Sequence, residues 1–82
     1  MQRTVIDVRE PSEFMAGHVD GALNIPVADL PTSSVIRNLD KNTPIVVYCR
    51  SGARAAMAAN FLKSLGFSNV TNGINQTSLE NA

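Results

Sequence analysis

Cysteine occurs once, at position 49, histidine once, at position 18, and tryptophan not at all. A single cysteine forbids an internal disulfide. One cysteine with one histidine cannot furnish the ligands of a structural zinc site, and no metal or cofactor is expected. The fold must then stand on packing alone, which is marginal at 82 residues. Long apolar runs are missing too. No stretch approaches the roughly 20 residues of a membrane-spanning helix, so no membrane is expected as a partner. The start, Met1-Gln2-Arg3-Thr4, lacks the apolar core of a secretion leader. The chain as it stands suits the cytoplasm, although a periplasmic protein whose leader had been removed would look the same.

An excess of one charge is also absent, with seven basic and seven acidic side chains. Their distribution is uneven. Residues 1–40 carry three arginines against six acids, and no acid lies between Asp40 and Glu80. The four cations of the second half (Lys41, Arg50, Arg54 and Lys63) are too sparse for a nucleic-acid footprint. They suit a small anion. With 44% hydrophobic and 17% charged residues, the chain is globular. At this length it makes one domain, 1–82, expected to be monomeric.

Thr4-Val5-Ile6-Asp7-Val8 is a β-branched run that suits a buried strand. Pro11 then fits the first position of a helix, with Glu13 in its positive first turn and Gly17 at its end. Gly21–Pro26 suggests a second short strand stopped by the proline. A helical turn around Val27–Leu30 follows, and then a weak helix capped by Ser33 or Ser34, with Val35, Ile36 and Leu39 as its apolar face. Ile45-Val46-Val47-Tyr48 is apolar on both faces, as a central parallel strand is. The strongest helix starts within Ser51–Ala53 and runs to about Leu65, with Ala58, Phe61, Leu62 and Leu65 on one stripe. Gly66 ends it, and Phe67 can fold back on Leu62. Ser68–Thr71 forms a last short strand. The polar tail beyond it, from about residue 74 at the latest, has only Ile74 and Leu79 as anchors and is expected to be loose. Strands alternating with helices predict an α/β layer with a parallel sheet.

The only cysteine falls where the central strand gives way to the strongest helix. Ligands bind at that carboxyl edge of an open α/β sheet. In Cys49-Arg50-Ser51-Gly52-Ala53-Arg54, Gly52 lets the backbone curl so that successive N–H groups form an anion nest at a helix start. Arg50 and Arg54 add two charges. Each feature favours thiolate over thiol, and the thiolate is the nucleophile. The competing reading is a small buried residue finishing a core strand; the flanking arginines and Gly52 argue for the nucleophile, on a surface loop.

Val5-Ile6-Asp7-Val8-Arg9-Glu10-Pro11-Ser12-Glu13-Phe14 and Gly17-His18-Val19-Asp20-Gly21-Ala22-Leu23-Asn24-Ile25-Pro26 resemble the amino-terminal signature of rhodanese-like domains. Ile45–Ala56 resembles their active-site strand and loop, and the likeness spans residues 4–73. The resemblance implies a three-layer α/β fold with a small, mostly parallel central sheet flanked by helices. It implies a single-domain thiosulfate sulfurtransferase of the phage-shock-protein-E type. Cys49 would carry sulfur as a persulfide, cradled by Arg50, Ser51, Gly52, Ala53 and Arg54, with Arg50 and Arg54 meeting an anionic donor such as thiosulfate. Cyanide, a small thiol or a thioredoxin-like protein would accept the sulfur. Asp7 and Arg9 would brace the loop from below. Two departures stand out: the family's extra strand and helix before Thr4 are absent, and Asn72-Gly73-Ile74-Asn75 replaces its Gly-Gly pair and aromatic helix.

Among other residues, His18 suits a hydrogen-bonded structural role in its turn. Phe14, Met15 and Met57 suit packing, Glu13 a local cap or ion pair, and Tyr48 a core position with its hydroxyl directed outward. Two other functions compete. A non-catalytic rhodanese-like binding module usually lacks the cysteine that this chain keeps. A cysteine-dependent phosphatase or arsenate reductase places its arginine after five intervening residues, whereas four separate Cys49 from Arg54. The shorter loop suits one sulfur atom.

Overall fold

A computed structural model describes residues 2–81. Four strands, β1 (Thr4–Asp7), β2 (Leu23–Asn24), β3 (Ile45–Cys49) and β4 (Val70–Asn75), form one sheet in the order β2-β1-β3-β4. Every strand pair is parallel. Helices α1 (Pro11–Met15), α2 (Ser34–Asn38), α3 (Ala53–Ser64) and α4 (Gln76–Glu80), with a 3-10 helix at Val27–Thr32, supply the connections and flank the sheet. The α/β class read from the sequence is the one observed.

β3 is buried at all five positions, as a strand between two parallel neighbours must be. It anchors a core of Ile6, Val8, Ile25, Leu30, Ile36, Val47, Leu62 and Phe67, where each fully buried aliphatic side chain contributes about 2 kcal/mol. The buried stripe of α3 is Ala55, Ala58, Ala59 and Leu62. Three small side chains let its backbone approach the sheet closely, while Leu65, placed on the stripe by periodicity, is 41% exposed. The helix stops as anticipated. The Phe67 N–H donates to the Leu62 carbonyl at 3.3 Å and the Gly66 N–H to the Lys63 carbonyl at 3.0 Å, with Gly66 at φ 102°, which is a Schellman motif. Pro11 opens α1, and the hydroxyl of Ser33 accepts from the Ile36 N–H to cap α2.

The carboxyl-terminal tail differs from expectation. β4 runs on to Asn75, and α4 follows, with the Asn75 side chain accepting from the Ser78 N–H at 2.8 Å. Leu79 reaches back over Gly73, where a Cβ would lie 2.8 Å from Leu79 Cδ2 and 2.9 Å from Val46 Cγ1. A capping residue and a missing side chain order a segment whose composition suggested none.

Candidate active site

Chain direction divides the sheet between β1 and β3: the chain moves outward from β1 to β2 on one side and from β3 to β4 on the other. The carboxyl ends of strands flanking such a switch point are where α/β sheets bind ligands. Here those ends carry Arg9 and Cys49. Both line a cavity of about 200 Å³ with Arg50, Asn75, Gln76 and Thr77.

Cys49 is the last residue of β3, only 1% exposed, and part of the hydrophobic core. The surface-loop placement is thus corrected, because the loop begins one residue later. The two readings of this cysteine are compatible, since it finishes a core strand and also faces a nest. The Gly52 N–H donates to its sulfur at 3.1 Å. Gly52 takes φ 93° and caps the start of α3, a backbone conformation that a side chain would strain. Burial pushes the thiol up, but the amides of Ala55, Gly52, Ser51 and Arg54 hold it below its ordinary value. Ala55, just outside the stretch singled out in the sequence, has the largest lowering effect. Backbone dipoles therefore favour the thiolate.

The arginines play different parts. Arg50 is exposed and lines the cavity. Arg54 pairs with α1: its two terminal nitrogens donate to the Glu13 carboxylate at 2.8 and 3.1 Å. Glu13 also accepts from the Glu10 N–H at 3.1 Å. Arg54 and that amide draw its carboxyl down to about 2. The ion pair joins α1 to α3 across 41 residues of sequence, a span that no local pattern announces.

Asp7 is fully buried and Arg9 is 8% exposed. Their guanidinium–carboxylate contact is bidentate, with Nε at 2.9 Å and Nη2 at 2.6 Å, and Nη2 also donates to the Gly17 carbonyl at 2.8 Å. Burial alone would raise the Asp7 carboxyl, yet hydrogen bonds from Arg9 hold it below the usual carboxylate range. These bonds tie the end of β1 to the end of α1, and among the described residues none reaches the 50–54 loop. Contact with the active-site strand runs through Tyr48, whose ring lies 5.5 Å from the Arg9 guanidinium carbon. Tyr48 is itself fully buried. Its hydroxyl is directed inward and accepts from the Val19 N–H at 3.0 Å, and burial pushes its phenol up to about 12.

His18 is exposed, stacked 3.6 Å from the Phe14 ring, and donates from Nδ1 to the Phe14 carbonyl at 2.8 Å. It stays in its turn and does not line the cavity. Phe14 consequently pairs with His18 outside the core cluster. Met15 and Met57 are 83% and 63% exposed, so neither packs as expected. The cavity wall formed by Asn75, Gln76 and Thr77 has no signal in the sequence, because the polar composition of the tail suggests a loose segment. Sequence reasoning also missed Asn24, whose amide donates to the carbonyls of Asp7 and Arg9 at 3.1 and 3.0 Å.

Comparison with known proteins bears on this geometry. The family model for the Rhodanese-like domain matches residues 1–76. The chain is 36% identical over 67 residues to thiosulfate sulfurtransferase PspE of Escherichia coli, an alignment covering 82% of this chain and 64% of that protein. It is 41% identical over 69 residues to thiosulfate sulfurtransferase GlpE of Pseudomonas entomophila, covering 80% and 59%. It therefore spans less than two thirds of the length of these relatives. Among solved structures, a rhodanese with anions from E. coli superposes with a TM-score of 0.84 at 32% identity, covering 93% of this chain and 89% of that one. A Rhodanese_3-like domain from Anabaena gives 0.85 at 30% identity, covering 96% and 91%.

Proposed function

The chain belongs to the rhodanese-like domain family, and from that premise we propose that it is a sulfurtransferase working through a persulfide on Cys49. The observation that carries this reading is the sulfur itself. It is held at the end of β3 against the Gly52 N–H at 3.1 Å, and its residue lines a cavity with two arginines. The Cys49 thiolate attacks the outer sulfur of thiosulfate. A new S–S bond forms at the cysteine, the S–S bond of the donor breaks, and sulfite leaves with the electron pair. Arg9 and Arg50 attract the anionic donor into the cavity, and the backbone nest holds the negative charge that passes to the outer sulfur of the persulfide. Cyanide, or the thiolate of a small thiol or thioredoxin-like protein, then attacks that outer sulfur and restores the Cys49 thiolate.

Four residues separate Cys49 from Arg54, one fewer than in a phosphatase loop, and the tighter cradle favours a single sulfur atom over phosphate. Intact-mass measurement after thiosulfate treatment tests the proposal. One added sulfur atom on Cys49, removed by cyanide with formation of thiocyanate, supports it. No added sulfur would overturn it, and turnover of an aryl phosphate in its place would put the phosphatase reading forward.

A further inference from the structure

Asn72 opens the stretch 72–75 that replaces the family's Gly-Gly pair, and it touches the sulfur cradle from outside. Its Nδ2 donates to the Gly52 carbonyl at 3.1 Å, while its Oδ1 accepts from the Ile74 N–H at 2.8 Å. A carbonyl on one side and an N–H on the other fix which end of the amide faces which way. The Gly52 carbonyl also accepts the first hydrogen bond of α3, from the Ala56 N–H at 2.8 Å. Gly52 is thereby tied to both the helix and the strand.

The backbone of β4 is distorted in a way that serves this arrangement. Its ladder with β3 pairs Val47 with Asn72 but Cys49 with Asn75, so one extra residue is accommodated in β4. Such bulges re-aim side chains beside active sites. Within the bulge Ile74 takes φ 72°, a left-handed conformation that a β-branched residue rarely adopts. That turn presents the Ile74 N–H to Asn72. It also lays Ile74 against Gly52, whose missing Cβ would lie 3.4 Å from Ile74 Cγ2.

We propose that Asn72 is a positioning residue for the reaction, clamping Gly52 so that its N–H stays aimed at the Cys49 sulfur. Asn72 lies outside the set of residues lining the cavity and acts only through the loop. The proposal rests on Cys49 being the reacting sulfur. The charged groups around that sulfur are Arg9 with its partner Asp7 on β1, Arg50 on the loop, and Arg54 on α3 with its partner Glu13 on α1, and all are left in place by the test.

The test is the pH dependence of iodoacetamide alkylation of Cys49 in Asn72→Ala and Asn72→Asp, read with melting temperature. Aspartate keeps the acceptor for Ile74 and loses the donor to Gly52; because its partly buried charge also raises a nearby thiol, the uncharged Asn72→Ala variant decides the outcome. Both variants should move the alkylation midpoint upward by about half a pH unit or more, the scale of one weakened hydrogen bond to a thiolate. They should also lower kcat for sulfur transfer with little change in KM. An unchanged midpoint overturns the proposal, and so does a loss of melting temperature with the midpoint held, since that marks a structural role only. Alkylation needs no sulfur donor. A wild type that transfers no sulfur while the midpoints move therefore refutes the enzymatic reading and leaves the clamp standing.

Discussion

Arg54 is bound to Glu13 and not to the sulfur it follows by five positions. Two charged hydrogen bonds, at 2.8 and 3.1 Å, hold it there. Amides of the loop and the first turn of α3 supply the hydrogen bonds that hold the Cys49 thiol below its ordinary value. The cation in the first turn of α3 secures that helix to α1.

Replacing Glu13 with Gln should loosen this join without removing the acceptor for the Glu10 N–H. The Glu13 carboxyl is lowered from 4.5 to about 2, with Arg54 the largest cause. A depressed folded pKa contributes stability that is present above the unfolded value and lost as pH falls through the folded one. Urea unfolding should then show the variant less stable at pH 7. The gap should narrow from about pH 4.5 and close near pH 2. Because the two side chains are 37% and 22% exposed, solvent screening keeps the neutral-pH difference under about 1 kcal/mol. A gap that persists unchanged to the lowest pH would detach it from this pair.

Cys49→Ser should abolish sulfur transfer, since the chain has no other thiol. Although the position is buried, the hydroxyl can accept from the Gly52 N–H that now meets sulfur, so the stability cost should be about 1 kcal/mol. Thiosulfate:cyanide turnover and thermal melting check the two halves. Activity near wild type would remove Cys49 from the chemistry.

A glycine inserted between Ala53 and Arg54 should lower thiosulfate turnover by about 100-fold, the scale of losing a well-placed oxyanion donor. The insertion rotates the Ala55 and Arg54 amides off the sulfur and displaces Arg54 from Glu13. The widened loop should bind vanadate or arsenate more tightly. Unchanged sulfur transfer would show that loop size does not select the substrate.

Gly73→Ala should destabilise the tail by about 1–3 kcal/mol. Its Cβ would need space that Leu79 Cδ2 and Val46 Cγ1 occupy, at 2.8 and 2.9 Å. Faster proteolysis beyond residue 73 and a lower melting temperature are the expected readouts. Since Asn75, Gln76 and Thr77 line the cavity, KM for the sulfur donor should rise as well.

What sequence made legible was local. An apolar run, a cysteine, a glycine and an alanine-rich helix occur in succession, and short-range rules suffice to place β3, the nest and α3. The Pro11 start and the Gly66 stop follow from single residues with strong conformational preferences. The rest was hidden for physical reasons. Glu13 and Arg54 are joined across 41 residues, and a charge announces no partner at that range. Asn72 and Asn75 suggest loop by composition, yet one clamps Gly52 and the other caps α4. Met57 is exposed because α3 buries another face, and Met15 because the short α1 buries none of its residues, which periodicity over five residues could not reveal.

The extra residue in β4 also bears on how the protein behaves beside its neighbours. β4 is an edge strand of the sheet, and its six residues, Val70–Asn75, carry no charge. An uncharged edge is a template for pairing with another chain, usually guarded by a lysine, a proline or a break in regularity. Here the break is the left-handed Ile74, within the stretch where β4 holds one residue more than β3. The distortion that brings Ile74 to Asn72 thus also interrupts the regular rim of β4.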